Sequence, residues 1–217
     1  MTIASSNSSK RLWMMILLPA ALLCLILVFL LIHLVSMRPP LPVLGDIADF
    51  TLTNQDGQTT TLATLSNHVW VADIIFTRCA GPCPVMTAQM KSLQEALSAK
   101  SKARLVTLTT DPGFDTAAIL KKYGERFGAD FHRWTFLTGT KKEIAGLAGG
   151  SLKLSAVPIS AADQANAADL FIHSTIFVVI GKHAKLRAIF ETEGPETTWS
   201  KVQPRIIATV NQLEEES

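Results

Sequence analysis

Twenty-four consecutive residues without a charge, Leu12 to Val35, set the first constraint on this chain. Only Pro19 and His33 interrupt their apolar character. As a helix the run would extend roughly 36 Å, enough to cross the ~30 Å hydrocarbon core of a bilayer with some tilt. Lys10, Arg11 and the amino terminus lie on one side, Arg38 alone lies close on the other, and no acidic residue precedes Asp46. The positive-inside rule therefore predicts a cytoplasmic tail over 1–11, a transmembrane anchor over 12–36, and export of the C-terminal remainder of the chain. A cleaved signal peptide fits less well, because the run is longer than an ordinary h-region and no small-x-small site comes after it. Cys24 reads as an inert membrane cysteine, since Leu23 stands where a lipid-attachment site needs a small residue. The short tail is no Arg-rich transit segment, which favours a bacterial inner membrane with the C-terminal part on the periplasmic side.

The net charge of +2 comes from the tail: setting Lys10 and Arg11 aside leaves 18 basic and 18 acidic residues. A near-neutral exported part has no electrostatic footprint for nucleic acid. It is long enough to bury a core of its own. Residues 37–46, with Pro39, Pro40 and Pro42, read as a stiff tether.

Beyond the tether the pattern alternates. "ADFTLTNQDGQTTTLATL" predicts two short strands around a turn at Asp56-Gly57. Val69 to Phe76, "VWVADIIF", is an apolar run of β-favouring residues and predicts a central strand. A helix comes next, for which Pro84 suits the first position. Met86, Met90, Leu93 and Leu97 mark one face of it. Arg104 to Thr110 is a strand, "DTAAILKKYGERF" an amphipathic helix and "WTFLTG" a strand. "TKKEIAGLAGG" is a short helix capped by Thr140 and stopped by glycine. A long loop with a strand fragment precedes Phe171 to Gly181 and Ala184 to Thr192, which predict a hairpin around Lys182-His183, and a closing helix runs from Pro195 to Glu215. Alternating strands and helices indicate an α/β layer fold.

The chemistry concentrates in "FTRCAGPCPVM", Phe76 to Met86. Cys83 falls at the start of the predicted helix, where unpaired N–H groups and the dipole favour a thiolate. Arg78 next to Cys79 adds positive charge. The pair can form a disulfide, run a redox cycle or hold a soft metal ion. A purely structural disulfide would close a very small loop and remove little chain entropy. Thioredoxin-type motifs usually place two residues between their cysteines; here there are three. With no second cysteine pair, a four-thiolate site within one chain is excluded. Met86 and Met90 could supply thioethers, although their spacing is that of a core face. His68 begins the central strand, His132 precedes "WTFLTG", and His183 sits in the hairpin turn. His173 enters an apolar strand, a place more often held by a structural histidine than by a ligand.

Taken together, these pieces resemble the SCO/SenC family, over about Leu41 to Asn211. The resemblance rests on a strand leading into Cys79-x-x-x-Cys83-Pro84, on "LVTLTTDPGFDTAAILKKYGERF", on "WTFLTGT", on "IHSTIFVVIGKHAKLRAIF", and on the N-terminal anchor. It implies a thioredoxin-like fold over 47–217, with a central mixed sheet flanked by helices. It implies copper as the metal, Cys79, Cys83 and His173 as its ligands, and a metallochaperone role in cytochrome c oxidase assembly. The expected partner is the oxidase subunit carrying the CuA site. Two thiolates suit Cu(I), and an imidazole extends the site to Cu(II). The alternative is a thiol–disulfide oxidoreductase, with Cys79 and Cys83 catalytic, that reduces cysteines of the oxidase or of other exported proteins. Two positions depart from the family pattern: Ala80 stands where proline commonly comes after the first cysteine, and Ile172 where an acidic residue often precedes the histidine.

Overall fold

The computed structural model describes residues 7–36, 39–154, 156–158, 171–173, 175–192 and 197–216, with side chains for all of these except 7–12, 14, 32–36, 156–158 and 171–173. Met1–Pro40 and Leu41–Ser217 form separate compact units. The first carries helix α1, Asn7–Ser36, whose apolar side chains from Met15 to Leu31 are exposed. Among the described residues no helix is long and apolar enough to cross a membrane.

The second unit is organised by one eight-stranded sheet. Its strands are β1 (Gly45–Asp46), β2 (Thr51–Asn54), β3 (Thr59–Thr61), β4 (Trp70–Ile75), β5 (Arg104–Thr109), β6 (Trp134–Thr138), β9 (Ile176–Ile180) and β10 (Lys185–Glu191), in the order β1-β10-β9-β4-β5-β6-β2-β3. β4, β5 and β6 are parallel, and the pairings of β1, β2, β3, β9 and β10 are antiparallel. The fully buried "WVADII" of β4 lies in the interior of the sheet, as its apolar run predicts. Gly57 takes the positive φ, +76°, that the β2–β3 turn requires.

Helices cover both faces. On one lie α3 (Pro82–Ala96), α4 (Ala117–Arg126) and α6 (Trp199–Glu215), packing Met86, Met90, Leu93, Leu120, Tyr123, Ile206 and Val210 onto Val71, Ile75, Leu105 and Phe136. On the other, α2 (Leu62–Leu65), α5 (Lys141–Ala145) and a π-helical turn at Gly146–Ser151 pack Leu65, Ile144 and Leu147 onto Ala72, Ile74, Val106, Leu137 and Val178. The bulge at Arg187 in β10 turns its guanidinium to the carbonyls of Leu41 and Pro42 and to the Glu216 carboxylate, fastening both ends of the unit to one strand.

Three local expectations are corrected. α3 begins at Pro82 rather than Pro84, because Gly81 is its N-cap and Pro82 supplies the fixed φ of a first helical residue. Glycine does not stop α5: the capping box of Thr140 and Glu143 starts it, and the chain winds on through the π-helical turn. Phe171 to Gly181 is not one strand. β8 (Phe171–His173) pairs with β7 (Ala156–Pro158) in a separate two-stranded sheet, and β9 begins at Ile176. Of the long loop expected before Phe171, residues 159–170 lie outside the described residues.

Candidate functional site

The cysteine loop springs from the end of β4. The Thr110 N–H donates to the Ile75 carbonyl at 2.8 Å, extending the β4–β5 pairing to the last residue before the loop. The Cys79 N–H then turns back to the Phe76 carbonyl at 3.2 Å, and the Gly81 N–H points at Cys79 Sγ at 3.4 Å. Cys83 is the second residue of α3. Both thiols are free and buried, Cys79 6 % exposed and Cys83 1 %. They belong to the same core cluster as Met86 and Met90, which are packed at 1 % and 0 % exposure on the face their spacing marks.

The helix start alone would acidify Cys83. Burial works against that and wins. Loss of hydration pushes the Cys83 thiol well above the ordinary thiol range, and the neighbouring Cys79 adds to the rise. A metal ion arriving here has a proton to displace from Cys83. Arg78 is also not a free cation beside Cys79. Its guanidinium pairs with Asp111 at 2.5 Å and lies 4.1 Å over the Phe114 ring. Asp111 thus does more than form the turn before Pro112.

Two carboxylates beneath this region have no role that the sequence announces. Asp115 is fully buried at the head of α4 and accepts from the Thr77 N–H at 3.1 Å, from the Thr77 hydroxyl, and from the Thr109 hydroxyl at 2.5 Å. Burial raises its pKa, and the hydroxyls and N–H pull it back. Asp73 stands opposite Thr107 in the β4–β5 register, with side chains on the face of α3. Its Oδ1 accepts from Thr107 Oγ1 at 2.6 Å, Trp134 Nε1 donates to the same hydroxyl at 2.9 Å, and Oδ2 is buried with no partner. Burial pushes its pKa up to about 7. The signal for Asp73 was available: a carboxylate inside an otherwise apolar central strand must be paired or neutral. Asp115 offered no such signal, because an acidic residue before Thr116 looks like ordinary helix capping.

The structure brings Cys79 and Cys83 to one end of β4. His173 is placed only as a residue of β8, opposite Ala156, and its side chain lies outside the described residues. Among the described residues no three His, Cys, Asp or Glu side chains cluster as a metal site. His68 Nδ1 lies 3.1 Å from the Lys102 carbonyl, a structural contact away from the cysteines.

The sequence profile of the SCO1/SenC family matches residues 45–207. The chain is 35% identical over 147 residues to the SCO1 protein homolog of Bacillus subtilis, covering 67% of this chain and 73% of that protein. Two solved structures are similar. BsSco, described as a member of the Sco family of cytochrome c oxidase assembly proteins with a disulfide switch, is 30% identical with a TM-score of 0.67, covering 82% of this chain and all of that one. A SCO1/SenC family lipoprotein from Bacillus anthracis is 28% identical with a TM-score of 0.65, covering 79% of this chain and 96% of that one. The mixed sheet flanked by helices is the thioredoxin-like fold of those proteins.

Proposed function

This chain belongs to the SCO1/SenC family, and on that premise we propose that it is a membrane-anchored copper carrier serving the assembly of cytochrome c oxidase. Cys79 and Cys83 hold the ion as thiolates and His173 completes the site. The observation that carries this reading is the pair of free, buried thiols where β4 runs into α3. Two soft donors in a water-poor setting suit Cu(I). A site with few ligands leaves a position from which another protein can take the ion. The recipient is the CuA-bearing oxidase subunit on the periplasmic side, and α1 is the anchor that keeps the carrier beside it. The support for anchoring is the uncharged run Leu12 to Val35 with Lys10 and Arg11 before it.

A second reading is favoured by the disulfide switch described for BsSco. The two thiols of this chain could reduce a partner's disulfide. One attacks as thiolate to give a mixed disulfide, the other resolves it, and Cys79–Cys83 forms as two electrons and two protons pass to the partner's thiols. In that role His173 is dispensable.

The test is an anaerobic titration of the full, reduced chain in detergent micelles with Cu(I) and Cu(II). One equivalent should bind, and the Cu(II) form should show thiolate-to-metal charge-transfer absorption. Cys79→Ser and Cys83→Ser should abolish binding, and His173→Ala should weaken it or change the spectrum. Copper uptake that survives both cysteine substitutions would overturn the carrier. A reduced chain that takes no copper but reduces a protein disulfide would establish the second reading.

A further inference from the structure

The two cysteines are fastened to the fold in different ways. Cys83 is carried by a helix: its carbonyl accepts from the Thr87 hydroxyl at 2.9 Å, and Thr87 Oγ1 meets the Tyr123 hydroxyl at 2.8 Å within the core. Cys79 sits on a loop, with Ala80-Gly81 directly after it. The loop is held at its entry. Thr77, two residues before Cys79, gives both its N–H and its hydroxyl to Asp115, and the same carboxylate takes the Thr109 hydroxyl at the end of β5. One fully buried group therefore joins the end of β4, the end of β5 and the start of α4. The Asp111 N–H donates to Thr109 Oγ1 at 3.0 Å, so the threonine is itself braced by the β5–α4 loop. A second tie, Arg78 to Asp111, lies nearer the solvent, with the Arg78 side chain 43% exposed.

We propose that Asp115 is a positioning residue for the cysteine pair, holding Cys79 against the fold through Thr77 while Cys83 is held independently by α3. The strap is the segment from Asp111 to Asp115, and Arg78–Asp111 is its weaker, outer strand. Hydrogen bonds to a charged acceptor are among the strong ones, and a buried donor left without its partner is costly. An exposed ion pair contributes little. The two ties should therefore differ in consequence. The placement of Cys79 decides how readily its sulfur meets anything outside, whether a metal ion, an oxidant or a partner's thiol, so this inference stands whichever reading of the function holds.

The test uses thiol alkylation and needs no copper. The full chain in detergent micelles, reduced and metal-free, is treated with iodoacetamide, and each cysteine is monitored separately by peptide mass spectrometry. Asp115→Asn should speed alkylation of Cys79 by about tenfold, the scale of one lost charge-assisted bond, while Cys83 changes less than about twofold. Thr77→Val, which alters no charge and removes only the hydroxyl bond, should speed Cys79 by roughly threefold, and Thr77→Ser should behave as the parent. Arg78→Gln should change Cys79 by no more than about twofold. Equal acceleration of both cysteines in Asp115→Asn would mean general loosening and would overturn the proposal, as would a Cys79 rate unchanged in Thr77→Val. Should Asp115→Asn fail to fold, the Thr77→Val and Thr77→Ser pair decides alone.

Discussion

Both faces of the central sheet are buried under helices, and they are built differently. Under α2, α5 and the π-helical turn the cluster is mostly aliphatic: Leu52, Leu65, Ile74, Val106, Leu137, Ile144, Val178 and Ile180. Under α3, α4 and α6 the core also takes in Asp73, Thr87, Thr107, Thr109, Asp115 and Tyr123, together with both cysteines. Burying such groups costs stability unless they are bonded to one another. The face that bears them is the face where the thiols sit. The first face is closed by mostly aliphatic packing; the second also buries polar side chains, most of them hydrogen-bonded, on the side where the cysteine pair sits.

The largest expected effects test whether packing alone distinguishes the faces. Phe136 and Leu137 are neighbours in β6, both wholly buried, on opposite faces. Phe136→Ala should cost about 3–5 kcal/mol and Leu137→Ala about 2–5 kcal/mol in urea denaturation. Similar losses keep the distinction a matter of chemistry; a negligible loss at Leu137 would break it, by making the aliphatic face dispensable. Next comes Asp73. Its folded pKa, about 7, lies above the ordinary carboxylate value, so its own contribution to stability is fullest below about pH 4 and is lost as pH rises towards 7. The fall is at most about 4 kcal/mol. Asp73→Asn keeps an acceptor for Thr107 and cannot ionise, so its advantage over the parent should grow between pH 4 and 8. Parallel pH profiles of unfolding free energy would remove the charge cost assigned to this face.

Smaller effects sharpen the contrast. A Cβ on Gly124 would sit 2.8 Å from the Phe131 and Phe136 rings, so Gly124→Ala should cost about 1–3 kcal/mol. On the other face, a Cβ on Gly139 would sit 2.6 Å from Cδ2 of the buried Leu52 and 3.1 Å from the Glu143 carboxylate, so Gly139→Ala should cost about as much. Chemical denaturation of the pair reads both losses, and a much smaller loss at Gly139 would mean that the aliphatic face yields more readily. Arg78→Gln, at the solvent edge, should change stability by no more than about 1 kcal/mol.

Much of this arrangement was legible in the sequence where local pattern decides it. The spacing of Met86, Met90, Leu93 and Leu97 named the buried side of α3, and the unbroken apolar run of β4 named an interior strand. The start of α3 was misplaced by two residues because Pro82 and Pro84 both suit a first turn, and only Gly81 as N-cap separates them. The acidity expected of Cys83 failed for a different reason: helix position is visible in a sequence, whereas the depth of burial that outweighs it is set by the whole core. Asp115 was hidden because its partner Thr77 is 38 residues away. The run from Phe171 to Gly181 looked continuous, yet its first three residues pair with β7 rather than joining β9. No period in the sequence records which partner a strand chooses.

In the proposed site Cys79 and Cys83 act together as ligands. Copper K-edge X-ray absorption on the Cu(I)-loaded full chain, beside Cys83→Ser, tests this most directly. The parent should show two sulfur scatterers and one nitrogen, with a sulfur lost or copper no longer held in the variant. A first shell of nitrogen and oxygen alone, or one identical in both proteins, would contradict it.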